Sequence, residues 1–215
     1  MVHELSLQSS IFSEFISEIR DEVIQKDRMR FRRNLERIGE VMAYELSKKL
    51  TFDNVEVVTP LGVSDERRLK EQPVLCAIMR AALPMHNGFL NYFDKADNAF
   101  VSAYRRHHKG GDFEIEVDYI SAPTLDDRLV IIVDPMLATG SSIEKVYRAL
   151  LQKGEPKKII IASAIASTAG VAHVKAKLPE NTEIWVGAID SELTAHSYIV
   201  PGLGDAGDLA FGSKD

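Results

Sequence analysis

Residues Leu129 to Ile143, LVIIVDPMLATGSSI, constrain the fold more than any other stretch of the chain. Val130 to Val133 are apolar and β-branched with no polar alternation, the pattern of a parallel strand covered on both faces. Asp134 then falls at the strand's carboxyl end, the edge of an open α/β sheet where ligands bind. The small residues Ala138, Thr139, Gly140, Ser141 and Ser142 follow and lead into a helix carrying Ile143, Val146, Tyr147 and Leu150. A turn of this kind suits phosphate, because the first helical N–H groups lack partners within the helix and the helix dipole favours an anion there. Thr139, Ser141 and Ser142 add hydroxyl donors, and Gly140 lets the backbone approach closely.

A strand, a turn and a serine-capped helix would give the same local pattern without a ligand, so the rest of the chain has to decide. No GxxxxGK[ST] occurs, which excludes a Walker A loop. Gly202, Gly204 and Gly207 form PGLGDAG, but too little chain follows for a dinucleotide-binding βαβ unit.

The remaining segments repeat the α/β rhythm. Strands are expected at about Val74 to Met79, Ala99 to Tyr104, Lys158 to Ala164 and Glu183 to Ala188, and helices at about Pro84 to Lys95, Ser142 to Lys153 and Thr168 to Lys177. Strands alternating with helices imply a parallel twisted sheet flanked by helices. Ahead of it, Ile11, Phe12, Phe15, Ile16, Ile19, Val23 and Ile24 recur at helical spacing, and a second helix from about Arg28 to Leu50 offers Phe31, Leu35, Ile38, Met42 and Leu46. These helices are expected to form an N-terminal appendage over residues 1–50, with apolar faces large enough to form a subunit interface. The polar run LGVSDERRLKEQP after Pro60 reads as a loop or edge hairpin. Phe113, Ile115, Val117 and Tyr119 alternate with Glu114, Glu116 and Asp118, so an antiparallel, half-exposed strand is expected there, making a flap over about 104–122. No internal repeat or low-complexity linker divides the chain, so residues 1–215 are expected to form a single domain.

Length and charge narrow the function. A chain of 215 residues can bury one sizeable core, and a formal charge of −6 argues against broad nucleic-acid or acidic-membrane binding while leaving room for a local basic site. The single cysteine, Cys76, lies in an apolar run, so no intrachain disulfide is possible and a buried, inert thiol is expected. The start of the chain, VHELSLQSS, lacks the basic-then-apolar pattern of a signal peptide, and no apolar run reaches the ~20 residues that span a bilayer. A cytoplasmic location is the expectation.

Four motifs stand in one order along the chain: MRAALPM at Met79 to Met85, AYRR at Ala103 to Arg106, VDPMLATGSS, and YIVPGLGDAGDLAFG at Tyr198 to Gly212. In this the chain resembles the phosphoribosyltransferases of type I, and within them the uracil phosphoribosyltransferases, over roughly residues 30 to 215. Most of the wider family carries two adjacent acidic residues where this chain has Asp134 and Pro135. The DPM form is similar to the uracil branch.

The resemblance implies a reaction: uracil and 5-phosphoribosyl 1-diphosphate (PRPP) give UMP and diphosphate, a pyrimidine salvage step. It implies that PRPP is held by Arg80, Arg105, Asp134, Pro135, Met136, Leu137, Ala138, Thr139, Gly140, Ser141, Ser142 and Asp205, with the 5′-phosphate in the loop Ala138 to Ser142. Asp134 would bond ribose hydroxyls and favour an oxocarbenium-like state. Arg80 and Arg105 would take the diphosphate, since guanidinium groups bind phosphate oxygens in a bidentate fashion. Uracil would be contacted by Ile199, Gly204, Asp205 and Ala206. Asp134, Asp205 and Arg105 are thus the candidate catalytic residues. Mg²⁺ is expected to arrive with PRPP, keeping waters and binding through the substrate's phosphates, with no metal cage in the protein. Relatives are dimers or tetramers, and some are activated by GTP.

Two departures from the family pattern stand out. Ser141 replaces a usual second glycine, which removes freedom at positive φ. Arg106, His107, His108 and Lys109 form a basic run where relatives tend to carry an acidic residue after the YR pair. Other readings stay open on the same motifs: a PRPP-binding regulator of pyrimidine genes with little or no turnover, or an enzyme of this fold acting on a purine or orotate. A regulator of that kind should carry a basic RNA-binding surface, against which the acidic total counts.

Overall fold

The computed structural model describes residues 1–107 and 113–213, the side chains of residues 104–116 excepted. Strand β1 (Val2–Glu4) is followed by helix α1 (Ile11–Arg20) and helix α2 (Arg28–Ser47). Ser10 and Ser13 close a capping box at the start of α1, and the Asp27 carboxylate accepts from the N–H groups of Met29 and Arg30 to start α2. Strands β2 (Phe52–Thr59) and β3 (Gly62–Leu69) form a hairpin. Then come β4 (Val74–Met79), α3 (Leu83–Leu90), β5 (Asp97–His107) and β6 (Phe113–Ser121). Next are β7 (Leu129–Val133), the short β8 (Met136–Leu137) and α4 (Ser141–Leu150). The chain continues through β9 (Lys158–Ser167), α5 (Thr168–Lys177) and β10 (Glu183–Asp190), and ends in β11 (Glu192–Leu193), β12 (Ile199–Val200) and α6 (Ala206–Phe211).

The main sheet has the order β1-β10-β9-β7-β4-β5-β6, parallel throughout except for the antiparallel pair β5 and β6, with β8 added beside β9. The expected parallel sheet with an antiparallel strand is therefore present. Its strands send alternate residues to two separate cores. Leu75, Ala77, Ile131 and Val133 face one core with α1, α2, α3 and α6, while Val74, Cys76, Val130 and Ile132 face the other with α4 and α5. A strand buried on both sides has no polar face to show, which is why its sequence does not alternate. Cys76 is buried in the second core, and burial pushes its thiol up to about 12.

Two expectations need correction. The N-terminal helices are not an appendage: Phe31, Leu35, Ile38, Met42 and Leu46 of α2 and Phe12, Ile16 and Ile19 of α1 are buried in the same core as the sheet. The larger part of their apolar faces is consumed within the chain, while Ile11, Val23 and Met29 stay 66%, 77% and 68% exposed. Glu18 joins the two helices, accepting from Arg30 and Asn34, and the Arg30 guanidinium holds its carboxyl below the usual range. The polar run after Pro60 forms a hairpin, one of its two expected readings, pairing with residues 52–59 in a two-stranded sheet of its own outside the main sheet. On β6, a bulge opposite Ser102 and Ala103 shifts the register, so Val117 and Ile120 pack against the core while Tyr119, expected on the same face as Val117, is 54% exposed.

Helices α2 and α3 cross with Gly39 and Gly88 face to face. A Cβ on Gly88 would run into the backbone of Glu36, Gly39 and Glu40, and one on Gly39 into the Met85 carbonyl. Since neither backbone can yield without moving a whole helix, Gly88→Ala is expected to cost about 1–3 kcal/mol or more, the penalty of overpacking. The midpoint of urea unfolding checks this.

Candidate active site

Strand order reverses between β4 and β7: β4 leads to β5 on one side, while β7 leads to β9 and β10 on the other. A crevice opens at the carboxyl ends of two strands that diverge in this way, and it is the usual ligand site of such sheets. Met79, Arg80 and Asp134 stand at that point. The chain leaves β4 through a cis Met79–Arg80 peptide, and leaves β7 at Asp134, whose N–H donates to the Ala162 carbonyl at 3.1 Å.

From Asp134 the predicted phosphate loop follows. The Met136 N–H donates to Asp134 Oδ1 at 3.2 Å, which turns the carboxylate back over its own loop. Pro135 and Leu137 are buried, Leu137 within the core below α4, so the backbone is what they can offer a ligand. Thr139, Ser141 and Ser142 are half-exposed. Thr139 Oγ1 accepts from the Ser141 N–H at 3.3 Å and lies 3.2 Å from Ser141 Oγ, so the two hydroxyls meet at the mouth of the turn. Gly140 caps α4 with φ of 81°, the left-handed conformation that glycine adopts without strain. Ser141 is already the first helical residue, and among the described residues the positive-φ positions other than glycine are Asp127 and Ser197. The freedom that Ser141 was expected to lack is therefore supplied one residue earlier.

Sequence reasoning missed what lies under this loop. Ser167, fully buried at the end of β9, donates through Oγ to the Ala138 carbonyl at 2.5 Å and accepts from the Gly170 N–H at 2.8 Å. One hydroxyl thus caps α5 and fixes the phosphate loop. Gly170 lets α5 come so close that a Cβ there would strike the Leu137 and Ala138 carbonyls. His173, one turn further, sits against Gly140 and lies 2.7 Å from Glu144 Oε2, and Arg148 with His173 holds the Glu144 carboxyl below its usual range. A serine beginning a helix is a legible cap in the sequence; its second bond, to Ala138, depends on the packing of two elements. Ser167→Ala removes both bonds and is expected to lower stability by about 1–2 kcal/mol, measurable by thermal or urea denaturation.

The motif from Tyr198 to Gly212 makes up the C-terminal segment. It is ordered: β12 pairs antiparallel with β11, a cis Val200–Pro201 bond follows, and Asp205 caps α6 by accepting from the Asp208 N–H at 3.0 Å. Ile199, Leu203 and Ala206 are buried. Of the segment's other apolar side chains, Leu209 packs against the core, while Tyr198 is 42% and Phe211 38% exposed. Gly204 is exposed, so its backbone is open beside Asp205.

Arg80 is already engaged. Its Nη2 donates to Asp208 Oδ1 at 2.9 Å and to the Gly212 carbonyl, while its buried Nε has no partner among the described residues. Gly207 of α6 lies over Ala81 and this Nε. Arg80 from β4 and Asp205 from α6 are thus brought together, with Asp134 at the neighbouring strand end. Arg105 lies on β5 opposite Ile115, and its side chain is outside the described residues. So are the side chains of Arg106 and His107, together with the whole of His108 and Lys109.

Comparison with known proteins agrees with this geometry. A family model described as uracil phosphoribosyltransferase matches residues 6–213. The chain is 54% identical to a uracil phosphoribosyltransferase of Porphyromonas gingivalis over 213 residues, 99% of both chains. It is 40% identical to one of Thermococcus gammatolerans, covering 95% of this chain and 91% of that one. Among solved structures, the AQ2163 protein of Aquifex aeolicus superposes with a TM-score of 0.87 at 30% identity, over 99% of this chain and 98% of that one. The model spans nearly the whole length, and the alignment to the Porphyromonas gingivalis relative runs end to end. This chain belongs to the uracil phosphoribosyltransferase family.

Proposed function

We propose that this chain transfers the 5-phosphoribosyl group of PRPP to uracil, releasing diphosphate and UMP in pyrimidine salvage. The observation that carries the reading is the seating of α6 on Arg80 at the β4 exit, which sets a base-binding segment beside a phosphate loop at one switch point. The 5′-phosphate lies in Ala138 to Ser142, where the first-turn amides of α4 open beside the meeting hydroxyls of Thr139 and Ser141. Pro135, Met136 and Leu137 carry the backbone past the ribose, and Asp134 faces the sugar. Arg80 and Arg105 bind the diphosphate. For Arg80 this means exchanging the half-exposed Asp208 carboxylate for phosphate oxygens, an exchange that costs little because an exposed ion pair is weak.

As diphosphate departs, positive charge grows at the anomeric carbon. The Asp134 carboxylate stabilises it without moving, which is where preorganised charge is most effective. Uracil offers two carbonyl acceptors on either side of one N–H. Ile199, Gly204 and Ala206 meet it with backbone groups, and Asp205 orients base and diphosphate together. Cytosine would reverse the polarity at two contacts and leave buried groups unpaired, so it is rejected. Mg²⁺ comes with PRPP. The carboxylates of Asp134 and Asp205 are hard oxygen donors of the kind this ion takes alongside substrate phosphates, and when bound it supplies charge neutralisation for the leaving diphosphate.

We place this activity in a cytoplasmic homodimer or homotetramer. No helix among the described residues is long and apolar enough to cross a membrane. The hairpin β2–β3 supports self-association: Val58, Leu61 and Val63 at its tip are 85%, 100% and 64% exposed, and a two-stranded hairpin is marginal alone in water. Sedimentation of the purified protein tests it.

The deciding experiment is UMP formation from uracil, PRPP and Mg²⁺, with cytosine, orotate and hypoxanthine as competing bases and GTP added in a second arm as the effector of some relatives. Turnover with uracil alone is the expected result. Tight PRPP binding without turnover on any base would replace this reading with a regulator. Asn caps a helix as well as Asp does, so Asp205→Asn should keep the fold while lowering kcat by about a hundredfold or more. Arg105→Ala should raise KM for PRPP with little change in KM for uracil. Ser141→Gly should leave both constants nearly unchanged, because the left-handed turn is already made by Gly140.

A further inference from the structure

The N-terminal helix α1 reaches the base-binding segment through one side chain. Arg20, its last residue, donates from Nη1 to Asp190 Oδ2 at 2.8 Å and from Nη2 to Asp190 Oδ1 at 2.9 Å, a two-point fork onto the carboxylate that ends β10. Arg20 Nη1 also donates to the Gly202 carbonyl at 3.0 Å, and the Gly202 N–H donates to Asp190 Oδ2 at 2.9 Å. Both backbone polar groups of Gly202 are therefore taken by one ion pair. Gly202 is buried, holds φ of 53°, and sits so close to Ile199 that a Cβ would strike its carbonyl. It is the pivot of the turn between Ile199 and Gly204.

The Asp190 side chain is only 8% exposed and that of Arg20 21%. A buried ion pair adds little stability over an apolar pair of the same volume, yet loses much when one partner is removed. Its distinctive property is direction: a planar fork fixes angle as well as distance. Here the object so fixed is a backbone turn whose two ends carry the residues read as contacting uracil. The Asp190 carbonyl, in turn, accepts from Thr168 Oγ1 at 3.3 Å, next to the Ser167 that holds the phosphate loop, and Asp190 pairs with Ser167 across β10 and β9.

We propose that Arg20 and Asp190 are positioning residues for uracil: they touch no substrate, and set the Ile199–Gly204 turn at the spacing that the base requires. The proposal rests on the reading that residues Ile199 to Ala206 hold the base. In steady-state kinetics on the full chain with both substrates varied, Asp190→Asn and Arg20→Ala are expected to raise KM for uracil about tenfold, the weight of one charge-assisted hydrogen bond. KM for PRPP should stay within about twofold, since uniform loss of binding to one substrate alone is the signature of a displaced subsite. Added guanidinium at low millimolar concentration should restore uracil binding to Arg20→Ala, which a merely destabilised fold would not show. If Arg20→Ala fails to fold, Arg20→Lys and Asp190→Asn keep volume and decide the matter. An unchanged KM for uracil in a folded variant, or an equal rise in both KM values, overturns the proposal. Gly204→Ala separates the two readings. If it raises KM for uracil while the Arg20 and Asp190 variants do not, the positioning role alone falls; if none of them does, the base is bound elsewhere and the reading of the segment falls too.

Discussion

Everything in the site depends on β4 and β7 lying side by side and parallel, with their successors going opposite ways. Parallel pairing puts all carboxyl ends at one edge, and divergence of the crossovers leaves a gap there. Arg80 and Asp134 leave adjacent strands at that gap, so two residues more than 50 positions apart in sequence stand at one edge of the sheet. The double burial of these strands makes the arrangement stiff. A core packed to crystal-like density on both faces gives the strand ends little room to wander.

The helices that cover the sheet also hold the loops proposed to bind the substrates, in part from the far end of the chain. Arg20 at the end of α1 fixes Gly202, and Arg32 of α2 donates to the Ala210 carbonyl at 2.7 Å, near the end of α6. On the other face, α5 reaches the phosphate loop through Ser167 and His173. Each loop therefore has its own support: helices α1 and α2 under the base segment, α5 under the phosphate turn. Because Asp190 and Ser167 are neighbours across β10 and β9, the two supports meet at the sheet.

Carboxylates here serve as backbone staples. Asp134 accepts from its own loop, Asp205 caps α6, and Asp190 binds the Gly202 amide. A carboxylate that accepts from backbone donors is held in one orientation, and a fixed orientation is what stabilising a cationic sugar or orienting a polar base would require. Arg80 is held by Asp208 in the same manner. The site is thus largely organised by interactions within the protein.

Much of this was legible in the residues. Strand β7, Asp134 after it and the small-residue turn follow from burial pattern and helix-end chemistry, which are local. The strands β4, β9 and β10 and the helix α5 fall where their periodicity put them, and the ordered motifs identified the family. Other features were hidden because they depend on which elements meet. The sequence could not say that α2 belongs to the core, since an amphipathic face looks the same against a sheet or a second subunit. Nor could it mark Arg20, Ser167 or Asp190: an arginine at a helix end and a serine at a cap have ordinary local uses, and their second bonds span 182, 29 and 12 residues. The bulge that turns Tyr119 outward is likewise a property of pairing. Local physics wrote the elements and the chemistry of each loop into the sequence; tertiary packing decided how the loops are held, because a hydrogen bond between distant residues exists only once the chain has closed around it.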